Sequence, residues 1–437
     1  MKKIALSFVL FVSLIGASFA ENFFAHRFFE IKVDVPVQVS NNLIGITDIF
    51  QEEAIIDLPQ IADNVAFNGA AIKAGASPTL GIKLDIPRGL IFGIEFGVEA
   101  DVGIGLSKQL FEFLGHGNVG MKENEFEIKT SNTYSDLFAT ATLTGGWNTK
   151  KTKLEVSGTI FSTIAHFDAS NTGARVYIND QENKVGFDAK LDAKVYTISN
   201  MNEISDTQKL LNALKGNIGF DLSGKYKYDL FRFLSVGATA RIPLVPSKLS
   251  TGYSVVYDIS QEFDLDSMLG KEGESSESST ETPKQEEEEG QSQEEGMFAF
   301  LGEPTLLDTP YSIHRPMKIG LSADFHPFGT LLSANGYLGI GFRHPFTDVI
   351  NKVTTGGLEK THFYIDYSVG GRLSLWNILS FTLSHSYMDE IFKNEFALAF
   401  NIRLVEVDAG VSFQSPSFTK SFTGAGLGAF VTVSVGF

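Results

Sequence analysis

Residues 90–104 read Leu-Ile-Phe-Gly-Ile-Glu-Phe-Gly-Val-Glu-Ala-Asp-Val-Gly-Ile. Phe92, Ile94, Phe96, Val98, Ala100 and Val102 share one parity; Gly93, Glu95, Gly97, Glu99, Asp101 and Gly103 share the other. A β-strand sends successive side chains to opposite faces, so this segment has one apolar and one polar face. It is far longer than the usual globular strand of about five or six residues. Three carboxylates stand well inside it, which suits a wet face better than a dry core.

The same alternation spreads along the chain. Ile31, Val33, Val35, Val37 and Val39 alternate with polar residues and Pro36 in Phe29–Val39. Val185–Ile198, Ile218–Lys227, Met317–Phe325, Phe363–Leu375, Phe396–Leu404 and Val405–Phe413 repeat the pattern. Weaker copies lie at Thr79–Ile86, Leu137–Trp147, Leu154–Ile164, Leu234–Leu244, Tyr253–Ile259, Leu332–Phe342 and Leu379–Tyr387. With the final strand this predicts an all-β fold, an antiparallel transmembrane β-barrel of about 14 to 16 strands. A soluble β-sandwich also alternates. Strands of about ten residues with charges of both signs deep on the polar face favour the barrel.

The connections are unequal. Pro87-Arg88-Gly89, Asn148–Lys151, Pro246–Lys248, Pro327-Phe328-Gly329 and Asn377 mark short turns, while 105–133, 165–184, 260–315 and 343–361 read as long loops. Short turns on one side and long loops on the other are the habit of outer-membrane barrels. Residues 199–216 break the rhythm, because the strand count wants a short turn there.

Composition narrows the function. After residue 20 no run approaches the roughly 18 apolar residues of a membrane helix, so a membrane-spanning reading requires strands. The 437 residues include 42 Gly and 38 Phe but no Cys, which removes disulfides, thiolate metal sites and a cysteine nucleophile. Net charge is −17, and 13 acidic against 2 basic residues fall within Gln261–Gly296. Nucleic-acid binding needs a basic footprint that this chain lacks. Lys271–Gly296 has no large apolar residue and reads as disordered, so 261–315 is expected to be an acidic, disordered external loop.

The N-terminus reads as an export address. Lys2 and Lys3 precede the short apolar core Ile4–Ile15, and Ser18-Phe19-Ala20 puts small residues at the two positions that matter for cleavage. A signal peptide over 1–20 leaves residues 21–437 as the barrel.

The chain ends Ala429-Phe430-Val431-Thr432-Val433-Ser434-Val435-Gly436-Phe437, with Val431, Val433, Val435 and Phe437 on one face. This resembles the C-terminal strand by which bacterial outer-membrane β-barrels are recognised for assembly, although Val435 stands where an aromatic is usual. The resemblance implies an outer-membrane location, surrounding lipids and the barrel-assembly machinery as partners. A narrower resemblance is to the long-chain fatty-acid transporter family. About 417 residues remain after residue 20, a similar length, and Asn42–Ala66 interrupts the strands as a hatch-like segment. That family implies 14 strands, a small N-terminal hatch and external helices around a greasy groove. The family places its hatch before the first strand, whereas Phe29–Val39 precedes it in this chain.

Two helical stripes supply candidate ligand-lining residues. Ile46, Ile49, Phe50, Ile61 and Val65 lie in the hatch-like segment, with Asp57 before Leu58-Pro59 as a cap. Leu106, Leu110, Phe113 and Leu114 form the second stripe, stopped by Gly115. Such stripes also arise from ordinary packing.

No motif points to an enzyme, a cofactor or a metal. His-Glu-x-x-His, the phosphate-binding Gly-rich loop and Gly-x-Ser-x-Gly are all absent from the sequence. In Ser384-His385-Ser386 the histidine has the parity of Leu383 and Tyr387, so it cannot serve its neighbours as a base. Asp366, Asp389 and Glu390 have no histidine brought to them by sequence and read as field-setting lumen charges. The expected function is uptake of small, hydrophobic, fatty-acid-like molecules across the outer membrane. A water-filled porin, with Glu95, Glu99, Asp101, Asp188, Lys190 and Lys194 as lumen charges, and a surface adhesin are the alternatives.

Overall fold

The computed structural model describes residues 27–43, 58–65, 69–117, 125–169, 172–179, 184–198, 207–264, 305–307, 310–342, 363–402 and 404–437. The signal peptide 1–20, the candidates Ile46, Ile49 and Phe50, and the acidic stretch Lys271–Gly296 lie outside them.

The first strand, β1 (Phe29–Asn41), pairs with β2 (Ala70–Ala76) and β3 (Thr79–Asp85), which share both neighbours and form one stave broken at Ser77-Pro78. Proline cannot donate to the ladder, so the break falls where it stands. The wall continues through β4 (Leu90–Leu106), β5 (Glu125–Asn148) and β6 (Thr152–Asp168). Between them and the rest come β7 (Gly173–Asn179) and β8 (Lys184–Thr197). The wall resumes with β9 (Ile218–Phe231) and β10 (Leu234–Val245). Short β11 (Ser247–Leu249), long β12 (Thr251–Asp264), then β13 (Thr305–Leu307) and β14 (Tyr311–Ile313) follow. The remaining staves are β15 (Met317–Phe325), β16 (Leu332–Phe342), β17 (Phe363–Leu375), β18 (Leu379–Met388), β19 (Ile391–Asn401), β20 (Val405–Ser415) and β21 (Leu427–Gly436).

Strand β21 pairs back with β1, Val433 opposite Val33, so 14 antiparallel staves close into a barrel. Closure leaves no edge of unpaired backbone groups, which is what lets a sheet exist in hydrocarbon. At the seam Phe28 and Phe29 donate their N–H groups to the Phe437 carbonyl at 2.8 and 3.1 Å, and the Phe28 and Phe437 rings meet at 4.6 Å. No described helix is long and apolar enough to cross a membrane.

Alternation now has a direction. Val33, Val35, Ile94, Phe96 and Val98 are exposed on the outside of the wall, with the Leu, Ile and Phe residues of the other staves at matching parity. Their polar neighbours face the lumen and pair there. Lys83 meets Glu155 at 2.7 Å, Lys153 meets Asp85 at 2.6 Å and Lys227 meets Asp324 at 2.8 Å. Lys and Arg facing lipid at mid-depth would cost about 2–4 kcal/mol each, so this register is strongly preferred over a one-residue slip.

One end of the barrel carries the turns at 86–89, 149–151, 232–233, 326–331, 376–378 and 402–404; the long connections leave from the other. The strand count of 14 to 16 resolves to 14 for a specific reason. Val185–Ile198 and Tyr253–Ile259 belong to β8 and β12, which with β7 form a ribbon standing above the long-loop rim. Asp188, Lys190 and Lys194 therefore sit on that ribbon and not in the barrel wall, which corrects their reading as lumen charges. Within the break at 199–216 the described residues form helix α3 (Thr207–Gly216), which leads into β9. Residues 305–307 and 311–313, expected within a disordered loop, are strands: β13 pairs with β12 and packs Leu307 on the Tyr196 cluster, and the partners of Tyr311 and Ile313 are described next.

Candidate functional site

Among the described residues, strands β11 and β14 pair with each other alone, Lys248 opposite Ser312. They lie inside the barrel. Ile313 packs against Phe138 and Phe161, two aromatics on the lumen face, whose rings meet edge to face at 6.0 Å. Leu249 packs with Tyr196 and Ile198, and Ala213 and Leu214 of α3 cover that cluster. The wall makes room for the pair. β6 pairs with β9 as far as Ser162↔Ile218 and with β8 from Ala165↔Thr197, which leaves the Thr163 N–H between two partners. It donates to the Ser247 hydroxyl at 3.0 Å, and that hydroxyl donates to the Asn217 carbonyl at 2.8 Å. A buried amide without a partner is costly, so the split wall and the inner strand stabilise each other.

Arg315 is the pin that fixes this insert. Its side chain is 6% exposed, Nη1 donates to Asp221 at 2.8 Å, and the guanidinium also bonds both carboxylate oxygens of Glu99. Asp221 lies on β9 and Glu99 on β4, so one arginine links two staves that are not neighbours in the wall. Arg241 of β10 donates to the Pro316 carbonyl at 2.9 Å. A buried ion pair gives little net stability when intact, but losing one partner strands the others and costs about 3–5 kcal/mol.

On the external side of the pin is a cavity of about 660 Å³. Tyr311 forms part of its wall, stacked on His166 at 4.5 Å and on Tyr196 at 4.6 Å. Burial, with Asp136 and Asp168 adding to it, pushes the Tyr311 phenol up to about 12, so the ring stays neutral. His166 Nδ1 lies 2.6 Å from Asp136. On another side Lys318 bonds Asp366 at 3.3 Å and Asp389 at 3.0 Å, and Lys73 meets Glu390 at 3.3 Å. Asp366, Asp389 and Glu390 thus each engage a lysine.

The described ligand candidates of the sequence analysis lie at the long-loop end, away from this cavity's lining. Helices α1 (Leu58–Asn64) and α2 (Lys108–His116) sit on the long-loop end and pack on each other. Gly115 permits the contact: a Cβ there would stand 2.7 Å from the Ala62 Cβ and from the Leu58 carbonyl. Val65 is buried, Ile61, Leu106, Leu110 and Phe113 are half-buried, and Leu114 is exposed. His385 faces outward, as its parity implies, with its ring stacked 5.9 Å from Phe422 and its nitrogens at 3.2 Å from the Tyr367 hydroxyl and 2.7 Å from Asn394. Sequence reading missed the inner pair. Its signal was Phe138 and Phe161, large aromatics at the parity of Thr140, Thr142 and Thr159, which call for an apolar cover inside.

The architecture is a closed 14-stave antiparallel barrel, apolar outside, with a short strand pair inside its lumen. A model for a family of unknown function, DUF5723, matches residues 28–245. No curated protein matches the chain. Among solved structures, the Ralstonia pickettii toluene transporter TbuX has a TM-score of 0.47 at 10% identity, covering 94% of this chain and 90% of that one. The Pseudomonas putida toluene transporter TodX gives 0.44 at 10% identity over 94% and 89%. A Pseudomonas aeruginosa FadL homologue gives 0.39 at 10% identity over 94% and 90%. With TM-scores below 0.5, the fold assignment rests on this chain's own strand register.

Proposed function

We propose that this chain is an outer-membrane channel for the uptake of small hydrophobic molecules, closed to water and ions by its inner strand pair. The observation that carries the reading is the lumen itself, which holds β11, β14 and Arg315, the last tied to two staves, β4 and β9. An open porin needs a continuous wet path, and this insert stands across it. The hydrophobic class is supported by apolar surface at two levels. The helices α1 and α2 present Ile61, Leu110, Phe113 and Leu114 at the external end, with Ile46, Ile49 and Phe50 as further lining candidates. Below them Phe138, Phe161, Tyr311 and Ile313 form an apolar island in a charged lumen. A hydrophobic constriction resists ions because water is poorly held there.

The export address and the seam residue Phe437 support passage through the barrel-assembly machinery to the outer membrane, with the long connections outside. Purified protein in a planar bilayer should be electrically quiet, and proteoliposomes should take up a labelled fatty acid. Large ohmic steps without uptake would make the chain a porin.

A further inference from the structure

The short-turn end carries a feature the transport reading does not use. Arg88, Lys150, Lys151 and Arg232 are exposed on the turns 86–89, 149–151 and 232–233, which follow one another round the rim. No carboxylate lies within ion-pair distance of any of the four among the described residues. The nearby acids are committed inward: Asp85 to Lys153 at 2.6 Å, Glu155 to Lys83 at 2.7 Å, and Asp229 accepts from the Ser235 hydroxyl at 2.7 Å. The turns 326–331 and 376–378, farther round, contain no Lys, Arg, Asp or Glu. Arg403 in the turn 402–404 is the one other Lys or Arg of these turns, so four of the five fall on one arc of the rim, in a chain whose net charge is −17.

Apolar aromatics border that same arc. Trp147, Phe231, Phe233 and Phe325 are exposed on the outer wall immediately above the turns, with Phe231 and Phe233 stacked at 5.5 Å and Phe233 edge-on to Phe325 at 5.9 Å. Amphipathic and aromatic rings settle at the level of lipid head groups. The unpaired cations thus stand at the depth of the phosphates. Between the first two turns, Pro87, Arg88, Asn148, Thr149 and Lys150 line an open groove of about 460 Å³.

We propose that this arc binds anionic phospholipid head groups of the leaflet at the short-turn end. The inference rests on the membrane-barrel reading. A phosphodiester fits because Arg offers a planar fork and Lys a compact charge to phosphate oxygens, and the girdle holds the acyl chains alongside. Each basic group near an anionic leaflet contributes about fivefold to partition. Four together should give at least about a tenfold preference for anionic over zwitterionic lipid.

The test uses the full protein in nanodiscs of mixed phosphatidylglycerol and phosphatidylcholine, with co-purifying lipid counted by native mass spectrometry after detergent exchange. Wild type should retain phosphatidylglycerol about tenfold over its share, with the excess falling in high salt. Arg88→Gln, Lys150→Gln, Lys151→Gln and Arg232→Gln combined should abolish the excess. Inorganic phosphate at matched concentration should not displace the lipid. Equal retention by variant and wild type, salt-independent retention, or displacement by free phosphate would each overturn the proposal. Should the fourfold variant assemble poorly, the Lys150→Gln, Lys151→Gln pair and the wild-type salt titration decide the matter alone. Insertion into pure phosphatidylcholine is read separately: failure there would count against the barrel reading and not against this one.

Discussion

Arg315 shows how much one buried residue can carry. Its guanidinium joins β4 to β9 through Glu99 and Asp221, and Asp221 is fully buried. Removing the cation leaves two carboxylates facing each other in the lumen. Arg315→Ala should therefore loosen the insert by about 3–5 kcal/mol while leaving the hydrogen-bonded wall intact. The expected outcome is a barrel that still migrates as a folded, heat-modifiable species but conducts ions in a planar bilayer. Arg315→Lys should restore little, because a single ammonium cannot serve two carboxylates with the same fixed fork. A variant as quiet as wild type would show that the insert is held by Ile313 and its neighbours alone. None of this was readable from residue 315 in sequence, since the pairs it makes are 216 and 94 residues away along the chain. What was readable is the misfit of Phe138 and Phe161 on a lumen face, an apolar demand whose supplier sequence could not name.

At the scale of elements, alternation identified every barrel stave, yet it could not say which strands close the wall. β8 and β12 alternate as well as any stave, because a ribbon above the membrane also has a wet face and a covered one. Only pairing distinguishes them, and pairing is non-local. The ribbon depends on polar links. Arg175 bonds Asp188 at 2.8 Å, and the Ser260 hydroxyl donates to Asp188 at 2.7 Å. These hydrogen bonds, Ser260 first and then Arg175, hold the Asp188 carboxyl below its ordinary range. A carboxyl depressed on folding stabilises above its unfolded value of about 3.9 and loses that contribution as pH falls through the lower folded value. The ribbon should hence loosen in the acid range below about pH 4. Amide exchange in β7 and β8 should rise there, and Asp188→Asn should show the faster exchange already at neutral pH. The effect will be small, no more than about 1 kcal/mol, because the pair is partly solvated. Identical exchange in variant and wild type across that range would remove Asp188 from the account of the ribbon.

The whole molecule is a statement about solvent on two sides of one sheet. Its outer surface exposes Leu, Ile, Val and Phe on stave after stave, and its inner surface pairs lysines with carboxylates. A soluble sandwich would invert this, hiding the apolar parity and wetting the polar one. The architecture was legible in sequence because the alternation is strict and the charges fall on one parity; the closed seam was legible only as the terminal run Val431, Val433, Val435 and Phe437, now opposite β1. Spin labelling tells lipid from water at each face. Single nitroxides at Val33, Val35, Ile94, Phe96 and Val98 should be relaxed by lipid-dissolved oxygen, whereas labels at Lys32, Glu95 and Glu99 should respond to a water-soluble nickel chelate or to neither where the insert covers them. The energetic reason is the asymmetry of error: a Lys or Arg turned to hydrocarbon at mid-depth costs about 2–4 kcal/mol, and several turned together would exceed the stability of an ordinary domain, about 5–15 kcal/mol. The register therefore has no near competitor in a bilayer. In a soluble particle it would have no reason to exist, since the same belt would then face water and drive association. Oxygen reaching both sets alike would mean that the sheet does not separate lipid from lumen, and the channel reading would fall with it.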